Sequence, residues 1–524
     1  MTMPTTARHG TEHPRVPRAT KREWIGLLVL ALPCLLYSMD LTVLNLAIPK
    51  LSVALRPTSA QLLWIADIYG FVLAGFLIPM GTLGDRIGRR KVLLAGAAAF
   101  GIASTAAAFA RTAPMLIAAR AVLGVAGATI APSTLSLIRN MFLDDEQRSF
   151  AIGVWVTSFS VGGAIGPLIG GVLLDHFSWG SVFLISVPVM VLLLVTGPLL
   201  LPEYRDPAAR PTDVPSVFFS LGAVLLVIYG VKRVAAAPGI ALPVATIAIG
   251  VGLGVIFVRR QHQIRDPLID PALFSNVRLV GALASYTVGT FIGFGIFLFT
   301  SQYLQLVKGL SPLAAGVASL PIAAGFTIGS FASPVIARRA GAVPLMIAGF
   351  VGSALAFAVL GLATPSSPLS LIIVAIGLYA LSLSPVFVLS TDLIVGSAPP
   401  ERAGAAAALS ETGSELGGAL GIGVLGSIGT AVYRHAMTTG LPPGLSFQIS
   451  EAARNTLGGA MRDQSGPAAS VQQSLHRVAQ GAFTSSMNAA GWACVVVALV
   501  MAVVLILLIG PTATRITVEA RRGV

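Results

Sequence analysis

The feature that most constrains this chain is a series of long, uninterrupted apolar segments. A transmembrane helix needs about 20 such residues, whereas a strand of a membrane barrel shows roughly 10 residues of alternating hydrophobicity. The 524 residues are 55% hydrophobic and 10% charged, with a mean hydropathy of +0.85. An ordinary soluble domain has about 25% charged residues. We therefore predict an all-α polytopic membrane protein and exclude a soluble enzyme, a disordered protein and a nucleic-acid-binding module.

The apolar segments predict fourteen transmembrane helices. They lie at residues 24–47, 61–83, 91–110, 113–138, 149–174, 180–201, 214–234, 240–258, 279–300, 312–336, 342–362, 368–394, 404–433 and 484–510. The two cysteines, Cys34 and Cys494, lie inside apolar segments and have neither a disulfide pattern nor metal-ligand spacing. We expect no metal and no cofactor.

The basic residues predict the orientation of the chain in the membrane. Of the 34 Lys and Arg, 23 lie on the side of the N-terminal tail, 10 lie on the opposite side, and Arg120 lies within a span. Because basic loops are retained in the cytoplasm, both termini are expected to be cytoplasmic in the plasma or inner membrane. The net charge of +13 is thus a topology signal. Anionic lipid headgroups are the partner we expect for it, and nucleic acid is not.

The chain repeats itself, which predicts two similar halves. Residues 161–166, VGGAIG, recur as LGGALG at 416–421, and residues 81–96 have a fainter echo at 330–345, with Arg338 and Arg339 aligned on Arg89 and Arg90. Parallel halves around a central cavity are a common transporter plan. The predicted divisions are a disordered cytoplasmic tail (1–22), a six-helix bundle (23–201), two inserted helices (202–278), a second six-helix bundle (279–510) and a cytoplasmic tail (511–524).

The second bundle contains one long loop, residues 434–483, which we expect on the extracellular side. Two amphipathic stretches, 446–459 and 468–483, predict a helical hairpin there. Its role as a gate or as a passive cap is left open.

The loop between the second and third spans has a dense pattern of glycine and charge. The pattern G-x-L-G-D-R-x-G-R-R-K comprises Gly81, Gly84, Asp85, Arg86, Gly88, Arg89 and Arg90. Glycine permits a tight turn, and Asp85 can bond arginine or cap a neighbouring helix. This loop resembles the signature loop of the major facilitator superfamily. In the second half Pro334 stands where the alignment would place Asp85, so symmetric gating salt bridges are not expected.

The fifth span carries a second pattern of small residues around one proline. Its residues are Gly162, Gly166, Pro167, Gly170 and Gly171. Small residues one turn apart let helices approach closely, and a proline kinks a helix. This span resembles the helix that separates exporters of the superfamily from importers. The resemblance implies a pliant, tightly sealed hinge between the halves.

Two further segments narrow the resemblance to the fourteen-helix drug:proton antiporters. Residues 39–49, MDLTVLNLAIP, are similar to the first-helix motif of that branch, and residues 410–418 are similar to one of its later helices. The branch also explains the two inserted helices. The methyl-viologen and quaternary-ammonium efflux pumps are the members that the chain resembles most.

Charged side chains inside the spans are the candidates for chemistry. Asp40, Asp67 and Arg120 each lie about 10 Å from the outer face by helix rise, so they share a layer if their helices adjoin. Glu411 and Glu415 lie one turn apart on a single face of the thirteenth span. A charge in hydrocarbon is costly and is expected to serve a function. We assign Asp40, Arg120 and Asp67 to proton coupling, with a packing role bonded to backbone carbonyls as the alternative for Arg120.

We assign Glu411 and Glu415 to recognition of a cationic substrate, with a second protonation site as the alternative, whereas Asp392, near a cytoplasmic end, is expected to be a cytoplasmic cap. A buried carboxylate is satisfied either by a proton or by a drug cation, and competition between the two gives exchange. Trp64, Tyr69, Trp155 and Phe159 would line a drug cavity or pack against lipid and neighbouring helices.

The sequence therefore predicts a monomeric, proton-coupled multidrug antiporter that exports lipophilic cations, dyes and quaternary ammonium compounds. An exporter of one metabolite or antibiotic, and a non-transporting sensor on the same scaffold, are the alternatives. No phosphate-binding G-x-x-x-x-G-K-[ST] loop, H-E-x-x-H or G-x-S-x-G motif is present, so we do not expect an enzyme.

Overall fold

The structure, a computed structural model, describes residues 18–205, 213–236, 241–264, 267, 271, 275–396, 403–462 and 468–522. Within these ranges the chain is all-helical, with short turns and no strand. The predicted tail 1–22 lies mostly outside the described residues. Its last two residues already belong to the first helix, which begins at Lys21.

Nineteen α-helices follow one another in the described part of the chain. They are α1 (Lys21–Leu55), α2 (Ser59–Ile87), α3 (Arg89–Ala108), α4 (Ala113–Gly127), α5 (Ile130–Met141), α6 (Asp145–His176), α7 (Ser181–Leu184), α8 (Ser186–Leu200), α9 (Val214–Ala236) and α10 (Ala241–Gln263). The rest are α11 (Val277–Gln302), which continues as a π-helical turn (Tyr303–Val307), α12 (Pro312–Ala318), α13 (Leu320–Ala340), α14 (Ala342–Gly361), α15 (Leu369–Gly396), α16 (Ala403–Gly440), α17 (Phe447–Asn455), α18 (Leu457–Ala460) and α19 (Ala469–Arg522).

Polar residues set the starts of several long helices. Thr20 and Glu23 form a capping box at α1, and Thr58 and Gln61 form another at α2. Thr112 caps α4 by accepting a hydrogen bond from the amide of Met115. These side chains bond backbone amides that the first turn of a helix leaves without intrahelical partners. A helix bonds its backbone groups internally, as hydrocarbon requires, except where an interior proline such as Pro33 or Pro49 of α1 removes a donor.

The chain is a multi-pass membrane protein. In the described ranges twelve helices are long and apolar enough to span a membrane, and α6 adds a thirteenth if its two bent parts form one span. Residues Val214–Val227 of α9 form a shorter apolar helix. This count is compatible with the fourteen spans predicted from the sequence, which stay a prediction.

The helices end at two opposite faces of the bundle, which we call the tail face and the loop face. At the tail face, where α1 begins, Arg22 Nη2 donates to the carbonyl of Leu199 at 2.6 Å, and Arg90 Nη1 donates to that of Leu201 at 2.8 Å. At the loop face, where α1 ends, Ser59 Oγ donates to the carbonyl of Asn455 at 2.7 Å. The glycine turn between α2 and α3 lies at the tail face, and α17 and α18 lie at the loop face.

The repeated glycine motif makes equivalent contacts in both halves. On α6, a β-carbon at Gly162 would overlap the carbonyl oxygen of Leu35 on α1. On α16, a β-carbon at Gly417 would overlap the carbonyl oxygen of Thr287 on α11. Glycine therefore lets each of these helices touch the backbone of the first helix of its half. The two VGGAIG-like segments are thus structurally equivalent, as the duplication predicts.

The second predicted echo needs a shifted alignment. Gly88 begins α3 with φ +118°, and Gly341 begins α14 with φ +86°, so these two glycines occupy equivalent turns. Arg338 and Arg339 lie in the last turn of α13, before the turn, whereas Arg89 and Arg90 follow it. The predicted match between these arginine pairs is therefore wrong. When the two turns are aligned on Gly88 and Gly341, Arg338 occupies the position of Asp85. The turn between α13 and α14 therefore has no carboxylate at this position, as expected.

The inserted helices α9 and α10 pack against each other and beside the seam between α2 and α16. A β-carbon at Gly250 of α10 would lie 2.9 Å from the carbonyl oxygen of Ala223 on α9. At the tail face Arg260 donates to both oxygens of Asp213, at 2.9 and 3.1 Å. These hydrogen bonds hold the pKa of the Asp213 carboxyl below its usual range. An ion pair therefore ties the two ends of the insert together.

The predicted hairpin of loop 434–483 has helices in both expected stretches. The first stretch contains α17 and α18, and the second is the beginning of α19. A β-carbon at Gly458 would lie 3.3 Å from the carbonyl oxygen of Pro49 on α1, and Tyr433 of α16 donates to the carbonyl of Ala453 at 2.9 Å. The loop thus contacts helices of both halves.

We predict that Gly162→Ala destabilises the protein by about 1–3 kcal/mol, because the added methyl collides with the backbone of α1. The matched control is Gly153→Ala on the same helix, since no atom outside its local backbone lies within 4 Å of a β-carbon there. Thermal unfolding of the two purified variants in detergent measures the difference. Equal melting temperatures would contradict the close approach of α6 to α1.

Candidate functional site

The centre of the N-terminal half contains a buried cation with a carboxylate partner. Arg120 of α4 is 1% exposed, and its Nη1 lies 3.3 Å from Asp40 Oδ2 on α1. Nη2 donates to the carbonyl of Ala66 on α2 at 3.4 Å. The guanidinium also lies over the ring of Tyr69, 5.3 Å from its centroid. Both partners expected from the sequence, a carboxylate and a backbone carbonyl, are therefore present.

Asp67 is the residue that follows Ala66 on α2. It is 1% exposed, so it is not a solvated residue of the outer rim. The Asp40 side chain is 16% exposed. The three residues predicted to share a layer therefore come from three adjoining helices, and Asp40 is more accessible than Asp67. Their role in proton coupling stays a prediction.

The two predicted glutamates lie where the halves meet. Glu415 of α16 is 9% exposed, and its Oε1 accepts a hydrogen bond of 2.6 Å from the hydroxyl of Tyr37 on α1. Glu411, one turn closer to the tail face, is exposed. The glutamates thus belong to the C-terminal half, but Glu415 is bonded to the N-terminal half.

Aromatic side chains connect the two charged groups. The ring of Tyr37 lies 6.4 Å from that of Tyr69 and 5.5 Å from that of Phe159, both in edge-to-face geometry. Tyr69 in turn lies beneath Arg120. Sequence analysis missed Tyr37. Its position three residues before Asp40, on the same face of α1, is the signal that would have identified it.

Two of the four predicted cavity aromatics have packing roles. Trp64 lies against Tyr229 of the insert, with ring centroids 6.4 Å apart. Trp155 donates its indole hydrogen to Thr134 Oγ1 at 2.9 Å. The other two, Tyr69 and Phe159, contact the ring of Tyr37 and therefore border the charged groups.

The signature turn between α2 and α3 depends on an acid that sequence analysis missed. Glu203, just after α8, accepts a hydrogen bond of 3.1 Å from the amide of Arg90. A β-carbon at Gly88 would lie 2.7 Å from the carboxyl carbon of Glu203. The positive φ of Gly88 is what favours glycine here, since the Glu203 carboxylate is the end of a flexible side chain that can move aside. A carboxylate at the start of α3 also faces the positive end of that helix.

The remaining residues of the signature loop have distinct positions. Asp85 bonds Arg89 at 2.6 Å, which is one of the two roles expected for it. A β-carbon at Gly84 would lie 2.9 Å from Cδ of Arg89, so the Arg89 side chain packs directly against Gly84. Gly81 has only an ordinary contact with Pro132, and Arg86 is exposed.

The proline motif of α6 contacts both halves. The helix bends by 41° between the segments Phe150–Gly163 and Ile165–His176. Pro167 accounts for the bend, since its ring clashes with the carbonyl four residues earlier. On one side a β-carbon at Gly166 would lie 3.0 Å from Met39 Cγ, and one at Gly170 would lie 2.6 Å from Val43 Cγ1, both on α1.

On the other side the same motif touches the C-terminal half. A β-carbon at Gly171 would lie 2.7 Å from the Cα of Leu313 on α12, and one at Gly316 would lie 2.5 Å from the carbonyl oxygen of Pro167. Ser311 donates to Asp175 at 3.3 Å nearby. The helix therefore closes the loop face by backbone-to-backbone contact between the halves.

Comparison with known proteins shows which family the chain belongs to. The family model of the major facilitator superfamily matches residues 30–422. The chain is 42% identical over 475 residues to multidrug efflux pump LfrA of Mycolicibacterium smegmatis, covering 90% of this chain and 94% of the relative. It is 37% identical over 447 residues to methyl viologen resistance protein SmvA of Salmonella typhimurium, covering 84% and 89%.

Solved structures show the same fold. A bacterial homologue of the human lysosomal transporter Spinster, in an inward-facing and occupied conformation, matches with a TM-score of 0.68 at 16% identity, covering 94% of this chain and 97% of the other. A helical transporter is the class that this fold and these relatives define. The chain belongs to the major facilitator superfamily, which confirms the resemblance inferred from its motifs.

We predict that Asp40→Asn lowers the stability of the protein by about 3 kcal/mol, because it leaves the buried charge of Arg120 without its carboxylate. The double variant Asp40→Asn/Arg120→Met should recover much of that loss, since it removes the buried charge as well. Thermal unfolding of the purified proteins tests both. A double variant that is no more stable than the single one would show that the pair does not carry this energy.

Proposed function

We propose that this chain is a multidrug efflux antiporter, which exports lipophilic cations, dyes and quaternary ammonium compounds in exchange for protons. The observation that carries the proposal is the pair of carboxylates on α16, Glu411 and Glu415, at the junction of the halves. The relatives named for multidrug efflux and methyl viologen resistance support the same substrate class.

The exchange follows from the cost of isolated charge in a low-dielectric site. A buried carboxylate is stable when it is protonated or when a cation neutralises it. A drug cation and a proton therefore compete for the same oxygens, so that loading one releases the other. Moving one charge across the membrane is worth about 2.3 kcal/mol per 100 mV, which drives protons inward and opposes the export of drug cations. Export is therefore driven by coupling to the inward movement of protons, and the potential contributes only when more positive charge enters than leaves.

We assign proton coupling to Asp40, with Arg120 as its partner and Asp67 as a buried neighbour. The carboxylate of Asp40 is more accessible than that of Asp67, and it already forms an ion pair with the buried Arg120. Proton uptake by Asp40 would release Arg120 toward its other contacts, the carbonyl of Ala66 and the ring of Tyr69. The pair thus offers two charge arrangements that a transport cycle can alternate between.

The packing between the halves supports a direction of loading. Gly171 and Pro167 of α6 press against α12 at the loop face, whereas Glu411 is exposed one turn toward the tail face from Glu415. A cation would therefore enter from the tail face. The excess of basic residues on that side supports a cytoplasmic location for both termini, in the cell membrane. We propose a monomer, with anionic lipids at the basic loops.

We predict that ethidium added to energised inverted membrane vesicles collapses part of the proton gradient, and that Asp40→Asn reduces this response by about tenfold or more. A pH-sensitive dye inside the vesicles measures the gradient. Asp392→Asn is the matched control, because Asp392 is an exposed acid near the end of α15, and it should behave like the wild type.

Asp40→Glu keeps a carboxylate and should retain part of the gradient response to ethidium. This variant therefore distinguishes loss of the carboxylate from loss of the folded protein. Wild-type exchange in Asp40→Asn would remove Asp40 from the mechanism. A gradient response to one neutral metabolite and to no cation would favour the single-metabolite exporter. No response to any compound would favour the sensor.

We predict that Glu411→Gln reduces export of the dication methyl viologen by about tenfold, and reduces export of the monocation tetraphenylphosphonium much less. Two carboxylates one turn apart can neutralise two positive charges, whereas a monocation needs only Glu415. Uptake of each compound into inverted vesicles measures the ratio. Equal losses for both cations would argue against a two-carboxylate site.

A further inference from the structure

The hydrogen bond between Tyr37 and Glu415 joins the two halves at the candidate cation site. The donor is on α1 and the acceptor on α16, their oxygens are 2.6 Å apart, and both side chains are buried. A hydrogen bond to a charged group is stronger than one between neutral groups. The contact therefore stabilises this arrangement of the halves as well as the carboxylate.

The Glu415 carboxylate accepts a hydrogen bond from the Tyr37 hydroxyl. Among the residues that the structure describes, no Lys or Arg side chain forms an ion pair with it. Its Oε2 faces the backbone of α2, where a β-carbon at Gly70 would lie 4.0 Å away. The other ionisable groups around it are Glu411 on its own helix, Tyr69 on α2 and Tyr286 on α11, whereas Asp40 on α1 is paired with Arg120. The Tyr37 hydroxyl thus occupies an oxygen that a cation would need.

We propose that Tyr37 is a positioning residue whose hydroxyl is the resident partner of Glu415 and is displaced when a lipophilic cation binds. This inference rests on the proposed function and adds a link between cargo and conformation. Displacing the hydroxyl removes a bond between α1 and α16. Loading of the cation therefore weakens the contact between the halves at the level where they must separate.

The ring of Tyr37 stays useful after the hydroxyl is displaced. It lies edge-to-face with Phe159 and Tyr69, so the three rings form one aromatic wall beside the carboxylate. Such a wall suits an apolar cation, which gains contact area and cation–π attraction. Tyr37→Phe therefore removes only the competing hydroxyl and keeps the wall.

The test is binding of tetraphenylphosphonium to the full chain, purified in detergent, measured by calorimetry at one fixed pH. Tyr37→Phe should lower the Kd by about tenfold, because the cation no longer breaks a hydrogen bond. Tyr379→Phe is the matched control, since Tyr379 is buried against Phe357 with ring centroids 5.3 Å apart and should leave the Kd unchanged. Damage to the fold would weaken binding, so the expected tightening is a specific signature.

A second comparison assigns the effect to Glu415. In the Glu415→Gln background, adding Tyr37→Phe should change the Kd by less than about twofold, since no charged acceptor is left. An unchanged or higher Kd for Tyr37→Phe overturns the proposal, as does tightening that persists in the Glu415→Gln background. Should Tyr37→Phe fail to fold, Tyr37→Met removes the same hydroxyl and should bind tetraphenylphosphonium more tightly than the wild type.

The proposed function fails by a different result. If Glu411→Gln and Glu415→Gln both bind tetraphenylphosphonium as tightly as the wild type, the cation site itself is elsewhere. If they weaken binding while Tyr37→Phe matches the wild type, the cation site stands and only the role of Tyr37 falls.

Discussion

Charge placed in hydrocarbon must find a partner, and this requirement organises the interior of the protein. Arg120 is almost completely buried, and its partners are Asp40, the carbonyl of Ala66 and the face of Tyr69. Glu415 is satisfied by the hydroxyl of Tyr37. Tyr37 and Asp40 are three residues apart on α1, so this one helix provides the partner of Glu415 in the C-terminal half and the partner of Arg120 in the N-terminal half.

Close helix packing keeps these groups in position. Gly162 and Gly417 bring α6 and α16 against the first helix of each half, and the two contacts are related by the internal repeat. The proline motif of α6 goes further, since Gly171 reaches α12 of the other half. The motif thus joins the two halves at the loop face, while the candidate site lies toward their centre. Backbone contact of this kind resists small deformations, so the halves are expected to move as bodies.

The corrections to the sequence predictions have one physical cause, which is that spacing along a chain does not fix a partner in space. Arg338 and Arg339 resemble Arg89 and Arg90 in type, but they precede their glycine turn instead of following it. Glu203 lies more than a hundred residues from the signature loop, yet it bonds the amide of Arg90. Trp155, for which cavity lining and helix packing were both open, donates its indole hydrogen to Thr134, a partner that spacing alone does not predict.

The sequence by itself determined the membrane class, the helical fold, the repeated halves and the set of acids inside the spans, because hydropathy and the cost of buried charge act locally along the chain. It also identified the superfamily from short motifs whose glycines meet steric needs. Only the tertiary structure decided that Arg120 lies beside Asp40 and that Glu415 is bonded by Tyr37 of the opposite half. These contacts join residues on different helices, and helix rotation and register, which set them, depend on packing over the whole bundle.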